Sequence, residues 1–125
     1  MSLKLGDIFS FERTFTNRDV ELFTEISGDA GIHHLAPDEQ GRLVVQGLLT
    51  ATLPTKIGGD HNFIARTMEF EFLRPVFTGD TVICELRVEQ WEKDKKGRIA
   101  VVTPFICRNQ HGKVVLNGVV TGVIL

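Results

Sequence analysis

The chain has little from which to build a covalently stapled or metal-stapled fold. Its two cysteines, Cys84 and Cys107, both lie inside apolar, strand-like runs. With no export signal ahead of them, they are expected to be free thiols buried in a core. No His/Cys spacing matches a zinc site, so no metal is expected. No basic run exceeds Lys95-Lys96, and the formal net charge is −2. Neither nucleic acid nor an anionic membrane is recommended as a partner. The opening MSLKLGDIFSFERTF contains no apolar h-region or small-residue cleavage site, and no segment approaches a membrane span. A cytoplasmic location is the expectation by elimination. Repeats, low-complexity tracts and linkers are missing as well.

What is there reads as one folded unit over residues 1–125. That length, with 42% hydrophobic and 24% charged residues, suits one domain with a real core and is too short for two. Leu5 to Phe15 reads as extended. Thr16 then caps a helix that has Asp19 in its first turn, Val20, Phe23 and Ile26 on one face, and Gly28 at its end. The run LVVQGLLTATLPTKIGG, Leu43 to Gly59, starts with residues that favour extended structure. From Gly47 onward it is too apolar for a surface helix, which predicts a buried helix bent or broken near Pro54.

Strands follow. Met68, Phe70 and Phe72 alternate with Glu69 and Glu71, and Val82, Cys84, Leu86 and Val88 form a second alternating set. Ile99 to Cys107 and Val114 to Ile124 are apolar on both faces, which predicts cover on both, while Pro104 predicts a local edge or bulge. The order predicts an α+β fold in which a long curved antiparallel sheet wraps around a buried central helix. Its open sheet edges predict pairing of two copies, a homodimer.

Chemistry concentrates in SGDAGIHH, Ser27 to His34. Asp29 and His34 stand five residues apart in a turn that contains Gly28 and Gly31. An ionised Asp and a neutral His can hold one water between them and move protons in either direction. The same residues also suit a solvated helix end. Gly47, at the start of the buried helix, offers a backbone N–H with no intrahelical partner at the positive end of the helix dipole. Such a donor can stabilise a developing enolate; the plainer alternative is close packing.

The run FTEISGDAGIHH resembles the hydratase motif of the MaoC-like, (R)-specific enoyl-CoA hydratase family. That motif is an aromatic, Ser-Gly-Asp, one residue, Asn-Pro-aliphatic and His; Phe23, Ser27, Gly28, Asp29 and His34 match it. VVQGLLTATL resembles the family's Val-His-Gly helix start, and LRPVFTGDTV resembles its Pro-Val-x-x-Gly-Asp turn. The resemblance implies a single hot-dog domain that adds water reversibly to trans-2-enoyl thioesters to give (R)-3-hydroxyacyl thioesters. It implies catalytic roles for Asp29, His34 and the Gly47 amide, with Ser27, Gly28, His33, Gln46 and Thr55 supporting or binding substrate. The substrate would ride on coenzyme A or acyl carrier protein, with no cofactor beyond that carrier, in a homodimer or higher hot-dog oligomer.

Departures from the pattern are specific. Gly31-Ile32 stands in place of Asn-Pro, and His33 in place of an aliphatic, which leaves the choice of catalytic histidine open. Gln46 replaces a histidine, the loop from His34 to Gly47 is several residues short, and Pro54 lies within the central helix. Two rivals follow. A hot-dog thioesterase is opposed by the lack of Asp or Glu over Leu48 to Lys56. A non-catalytic acyl-thioester binding protein is favoured by the missing Asn-Pro.

Overall fold

The computed structural model describes residues 3–125. Strand β1 (Ile8–Thr14) leads into helix α1 (Asn17–Ser27), the one-turn helix α2 (Ile32–Leu35), and a central helix in two pieces, α3 (Gly47–Thr50) and α4 (Thr52–Asp60). Then come β2 (Phe63–Phe72), β3 (Thr81–Arg87), β4 (Gln90–Lys93), β5 (Ile99–Arg108) and β6 (Val114–Ile124). The strands form one antiparallel sheet in the order β1-β3-β5-β6-β2, with β4 also paired to β5. The predicted α+β architecture, a sheet curved around a central helix, is the one observed.

Helix α1 starts where its cap residues require. The Thr16 hydroxyl accepts the Asp19 amide at 3.1 Å, and the Asp19 carboxylate accepts the Thr16 amide at 3.0 Å. Gly28 ends the helix at φ 74°, a left-handed conformation that a glycine adopts without a Cβ penalty. Of the predicted apolar face, Val20 is fully buried, while Ile26 is 84% exposed.

The central helix bends at Ala51, before Pro54 rather than at it. Pro54 is the third residue of α4, inside the first turn, where its missing N–H removes no intrahelical bond. Its ring crowds the carbonyl four residues back, that of Thr50, which is where α3 stops. Leu53 and Ile57 fill the concave side of the sheet against a core that includes Val82, Leu86, Phe105, Leu116 and Val120. The opposite side of the helix is open, with Leu48 59% exposed. The helix is therefore buried on one side only within a single chain.

Two strand expectations need correction, while that for Pro104 holds. Pro104 lies in β5, an interior strand of the sheet, yet meets a local edge on one side. β5 pairs with β3 over 105–108 and with β4 over 99–102, so Pro104 falls in the gap between them, where no neighbour on that side needs an N–H. The convex face of the sheet is not fully covered, as exposed Ile83 and Ile106 show. Met68 and Phe72 are half exposed because β2 is an edge strand. Cys84 and Cys107 sit opposite each other across β3 and β5, both buried. The hydrogen bond to Cys107, together with burial, pushes the Cys84 thiol far above its usual range and keeps it from acting as a thiolate nucleophile.

Two outcomes follow. A Cβ added at Gly118 would lie 1.9 Å from the Glu69 carbonyl oxygen of the neighbouring strand and 3.0 Å from the Phe105 ring. Gly118→Ala should therefore destabilise the fold by about 1–3 kcal/mol in urea unfolding. Burial alone would raise the Asp19 carboxyl, but hydrogen bonds from the Thr16 amide and hydroxyl, and the nearby Arg13, bring it below the usual value of 3.8. A carboxyl that is more acidic when folded contributes stability above its unfolded value, and that contribution is lost as pH falls through the folded one. Asp19→Ala should cost on the order of 1 kcal/mol at neutral pH. In thermal melts the gap from the unsubstituted protein should close between about pH 5 and about pH 2.

Candidate active site

The site is built by two short main-chain devices. After Gly28, the Ser27 hydroxyl donates to the Phe23 carbonyl at 2.6 Å and accepts the Asp29 amide at 3.0 Å. That holds the backbone of Asp29, while its Oδ1 accepts the Gly31 amide at 3.5 Å and its Oδ2 faces His34. Gly31 then opens α2, so His33 and His34 lie on a helical turn rather than in the expected loop. Ile32 occupies the first helical position, where a proline would also fit. A Cβ at Gly31 would come within 2.8 Å of the His33 ring. Glycine at 31 and histidine at 33 thus go together: the ring occupies space that a larger residue would need.

His34 is the oriented member of the pair. It is buried, at 6% exposure, and its ring packs against that of His33 with centroids 3.9 Å apart. His34 Nδ1 lies 2.6 Å from the Val44 carbonyl oxygen, and an oxygen acceptor requires Nδ1 to carry the proton and donate it. In the neutral ring, Nε2 is then an unprotonated acceptor. It faces Asp29 Oδ2 at 3.5 Å. A carboxylate oxygen and a ring nitrogen that both accept are suited to sharing a proton or a water between them. Asp29 is 51% exposed, so the pair opens to solvent on that side. His33 is exposed, and its carbonyl accepts the Val44 amide at 3.0 Å, which completes a two-way clamp between α2 and Val44.

The short loop from α2 to α3 is closed by Asp38. Its carboxylate accepts the Arg42 and Gln40 amides and the Arg42 guanidinium, each at 2.9 Å. The Arg42 amide leads the set of donors that hold this carboxyl below its usual range. The loop returns the chain through Val44 and Val45 to Gly47.

Gly47 and the His34 ring line the same pocket of about 340 Å³, together with His33, Val44, Phe72 and Arg74. The Gly47 amide donates to none of the described residues. A Cβ at Gly47 would lie 2.7 Å from the Phe72 ring, so the bare residue lets this aromatic cover the helix start. Asp29 stands outside this lining, against His34. Gln46 is fully buried and bonds to α1. Thr55 donates to the Thr52 carbonyl at 2.8 Å and lines a different space, an apolar cavity of about 80 Å³ bordered by Pro54, Gly58, Ala65 and Met68. The structure thus brings His34, His33 and Gly47 to one pocket with Asp29 beside them, and places Thr55 away from them. Phe72 and Arg74, which from sequence read as core and solvated surface, line this pocket; the Val44 carbonyl was missed, because a main-chain acceptor leaves no mark in residue type.

A sequence model of the thioesterase superfamily matches residues 48–94. Among solved structures, an (R)-hydratase from A. caviae involved in PHA biosynthesis is 26% identical. The match covers 99% of this chain and 98% of that one, with a TM-score of 0.85. A MaoC-like dehydratase from Rhodospirillum rubrum shares the fold at 20% identity, covering 98% of this chain and 93% of that one, with a TM-score of 0.76. A curated relative, the mitochondrial 3-hydroxyacyl-[acyl-carrier-protein] dehydratase of Arabidopsis thaliana, is 22% identical over 129 residues, 98% of this chain and 78% of its own length. Among the described residues no helix is long and apolar enough to cross a membrane. The wrapped helix, the strand order and these matches agree: the chain has the hot-dog fold, with a MaoC-like dehydratase and an (R)-hydratase among its structural neighbours and a thioesterase-superfamily match over part of its length.

Proposed function

We propose that the protein is a hydratase/dehydratase of hydroxyacyl thioesters, adding water reversibly to a trans-2-enoyl thioester to give the (R)-3-hydroxyacyl product. The observation that carries this reading is the orientation of His34. With Nδ1–H held by the Val44 carbonyl, Nε2 is left as a base facing Asp29 beside a free helix-start amide.

In the proposed reaction, the thioester carbonyl accepts the Gly47 N–H. A water held by Asp29 and His34 loses a proton to Nε2 as its oxygen bonds to C3. The C2–C3 electron pair moves toward the carbonyl, and the resulting enolate is held by the Gly47 amide. The pair returns the proton to C2 on the same face, which is syn addition; the reverse sequence is dehydration. General acid/base assistance supplies about 10²–10⁴-fold. An amide aimed at the developing oxyanion supplies about 3 kcal/mol. The steps are an oxygen–carbon addition, proton transfers and charge stabilisation, with no net redox change, so the reaction asks for no cofactor beyond the carrier, coenzyme A or acyl carrier protein. The apolar cavity at Thr55 suits an alkyl tail running beside the central helix.

The superfamily's name favours a second reading, thioester hydrolysis. The central helix argues against it, because its one acid, Asp60, sits at the far end, paired to Lys56 at 2.6 Å. A short trans-2-enoyl-CoA separates the readings: loss of enoyl absorbance without thiol release indicates hydration, thiol release indicates hydrolysis, and binding alone indicates a sensor. Asp29→Asn and His34→Ala should each lower hydration by at least about 10²-fold, with unchanged melting. Undiminished turnover in Asp29→Asn sinks the assignment, and full activity in His34→Ala moves the base to His33.

The working unit in this proposal is a homodimer. Ile32, Leu48 and Phe72 are exposed apolar residues on the elements that carry the pocket, and β2 is an open edge beside them. Light scattering after size exclusion should give twice the chain mass; a stable monomer overturns it.

A further inference from the structure

Gln46 directly precedes Gly47, yet its side chain runs to α1 rather than to the pocket. Its amide nitrogen donates to the Thr24 hydroxyl at 2.8 Å and to the Val20 carbonyl at 3.3 Å. Thr24 is the junction. Its hydroxyl also donates to the Val20 carbonyl at 2.9 Å, and its own carbonyl accepts the Gly28 amide at 2.9 Å. That last bond ends α1 and turns the chain into Asp29. A short relay of hydrogen bonds therefore joins the residue before the Gly47 amide to the residue before Asp29.

Stability gives no reason for a carboxamide here. Gln46 has no exposed surface, and its Oε1 has no hydrogen-bond partner among the described residues. A buried polar atom without a partner is costly, whereas an apolar side chain of the same shape at this position would be close to neutral. What the carboxamide does supply is direction, because it ties the start of the central helix to one hydroxyl on α1.

We propose that Gln46 and Thr24 act together as positioning residues that set the separation between the Gly47 amide and the Asp29–His34 pair. The inference rests on the hydration reading above, and neither residue touches the reacting atoms. Catalysis of this kind is sensitive to placement, since a shift of about 1 Å can cost on the order of 10²-fold.

Gln46→Met and Thr24→Val keep volume and remove the bond. In each, kcat for a short trans-2-enoyl-CoA should fall about tenfold, while KM stays within about twofold. Melting should be unchanged in Gln46→Met and lower in Thr24→Val, which leaves the buried Gln46 Nε2 only its 3.3 Å bond to the Val20 carbonyl. The double variant should be no slower than the slower single one, because both remove the same bond. A kcat within about twofold of the unsubstituted protein in Gln46→Met, or multiplicative losses in the double variant, overturns the proposal. Amide hydrogen exchange reads the link without substrate: Gly28 and Asp29 should exchange about tenfold faster in Gln46→Met, with β5 unchanged. Unchanged exchange at both amides overturns the link even where no turnover is measured. Faster exchange in a protein that hydrates nothing upholds the link and removes the hydration reading instead.

Discussion

Leu53 and Ile57 lie in the hollow of the sheet against Leu86, Phe105 and Val120, and the position of the Gly47 amide follows from that packing. A helix with one apolar side and a sheet with one apolar hollow each hide what the other exposes, and the hydrophobic gain fixes where the helix sits. Gly47 begins that helix, so its free amide is held by the core rather than by a flexible loop. Val44 and Val45 are drawn into place just before it, through the Val44–Phe77 bridge and the Val45–Val76 hydrogen bond. The carbonyl that orients His34 belongs to this same stretch. Core packing thus positions both the proposed oxyanion donor and the partner that selects the imidazole tautomer.

The dyad itself is assembled more locally. Gly28, in a left-handed conformation, and the Ser27 hydroxyl bend the backbone out of α1, and Gly31 starts a new turn three residues later. One residue, His34, ends up buried and directed, while Asp29 stays half exposed. The asymmetry suits the roles proposed for them. A base needs a defined lone pair, whereas a carboxylate beside it needs access to water and charge. The exposed apolar residues around the same elements show why one chain leaves this cleft open.

Local rules were legible where one residue decides the conformation. Thr16, Asp19 and Gly28 delimit α1 as expected because caps act within a single turn. The Val82, Cys84, Leu86 and Val88 alternation marks a strand with one fully buried face. The expectations that failed depended on neighbours. Ile26 fits the periodicity of a buried face, but no part of the chain covers that end of α1. Pro104 is the exception that held: its expected local edge exists because β3 and β4 part opposite it, a gap that residues far along the chain create. Thr55 has the spacing of a pocket residue, yet the bend at Ala51 and the curve of the sheet turn it toward another cavity.

The caps, the strand alternation and the choice of Asp29, His33, His34 and Gly47 as candidates were legible in the sequence alone, because each depends on side-chain chemistry within a few residues. Tertiary structure decided which histidine is oriented, which nitrogen of it is free, and that Gln46 reaches Thr24. Those outcomes rest on main-chain acceptors and on distances between segments that are far apart in the chain. Residue type does not encode such distances until the core has closed.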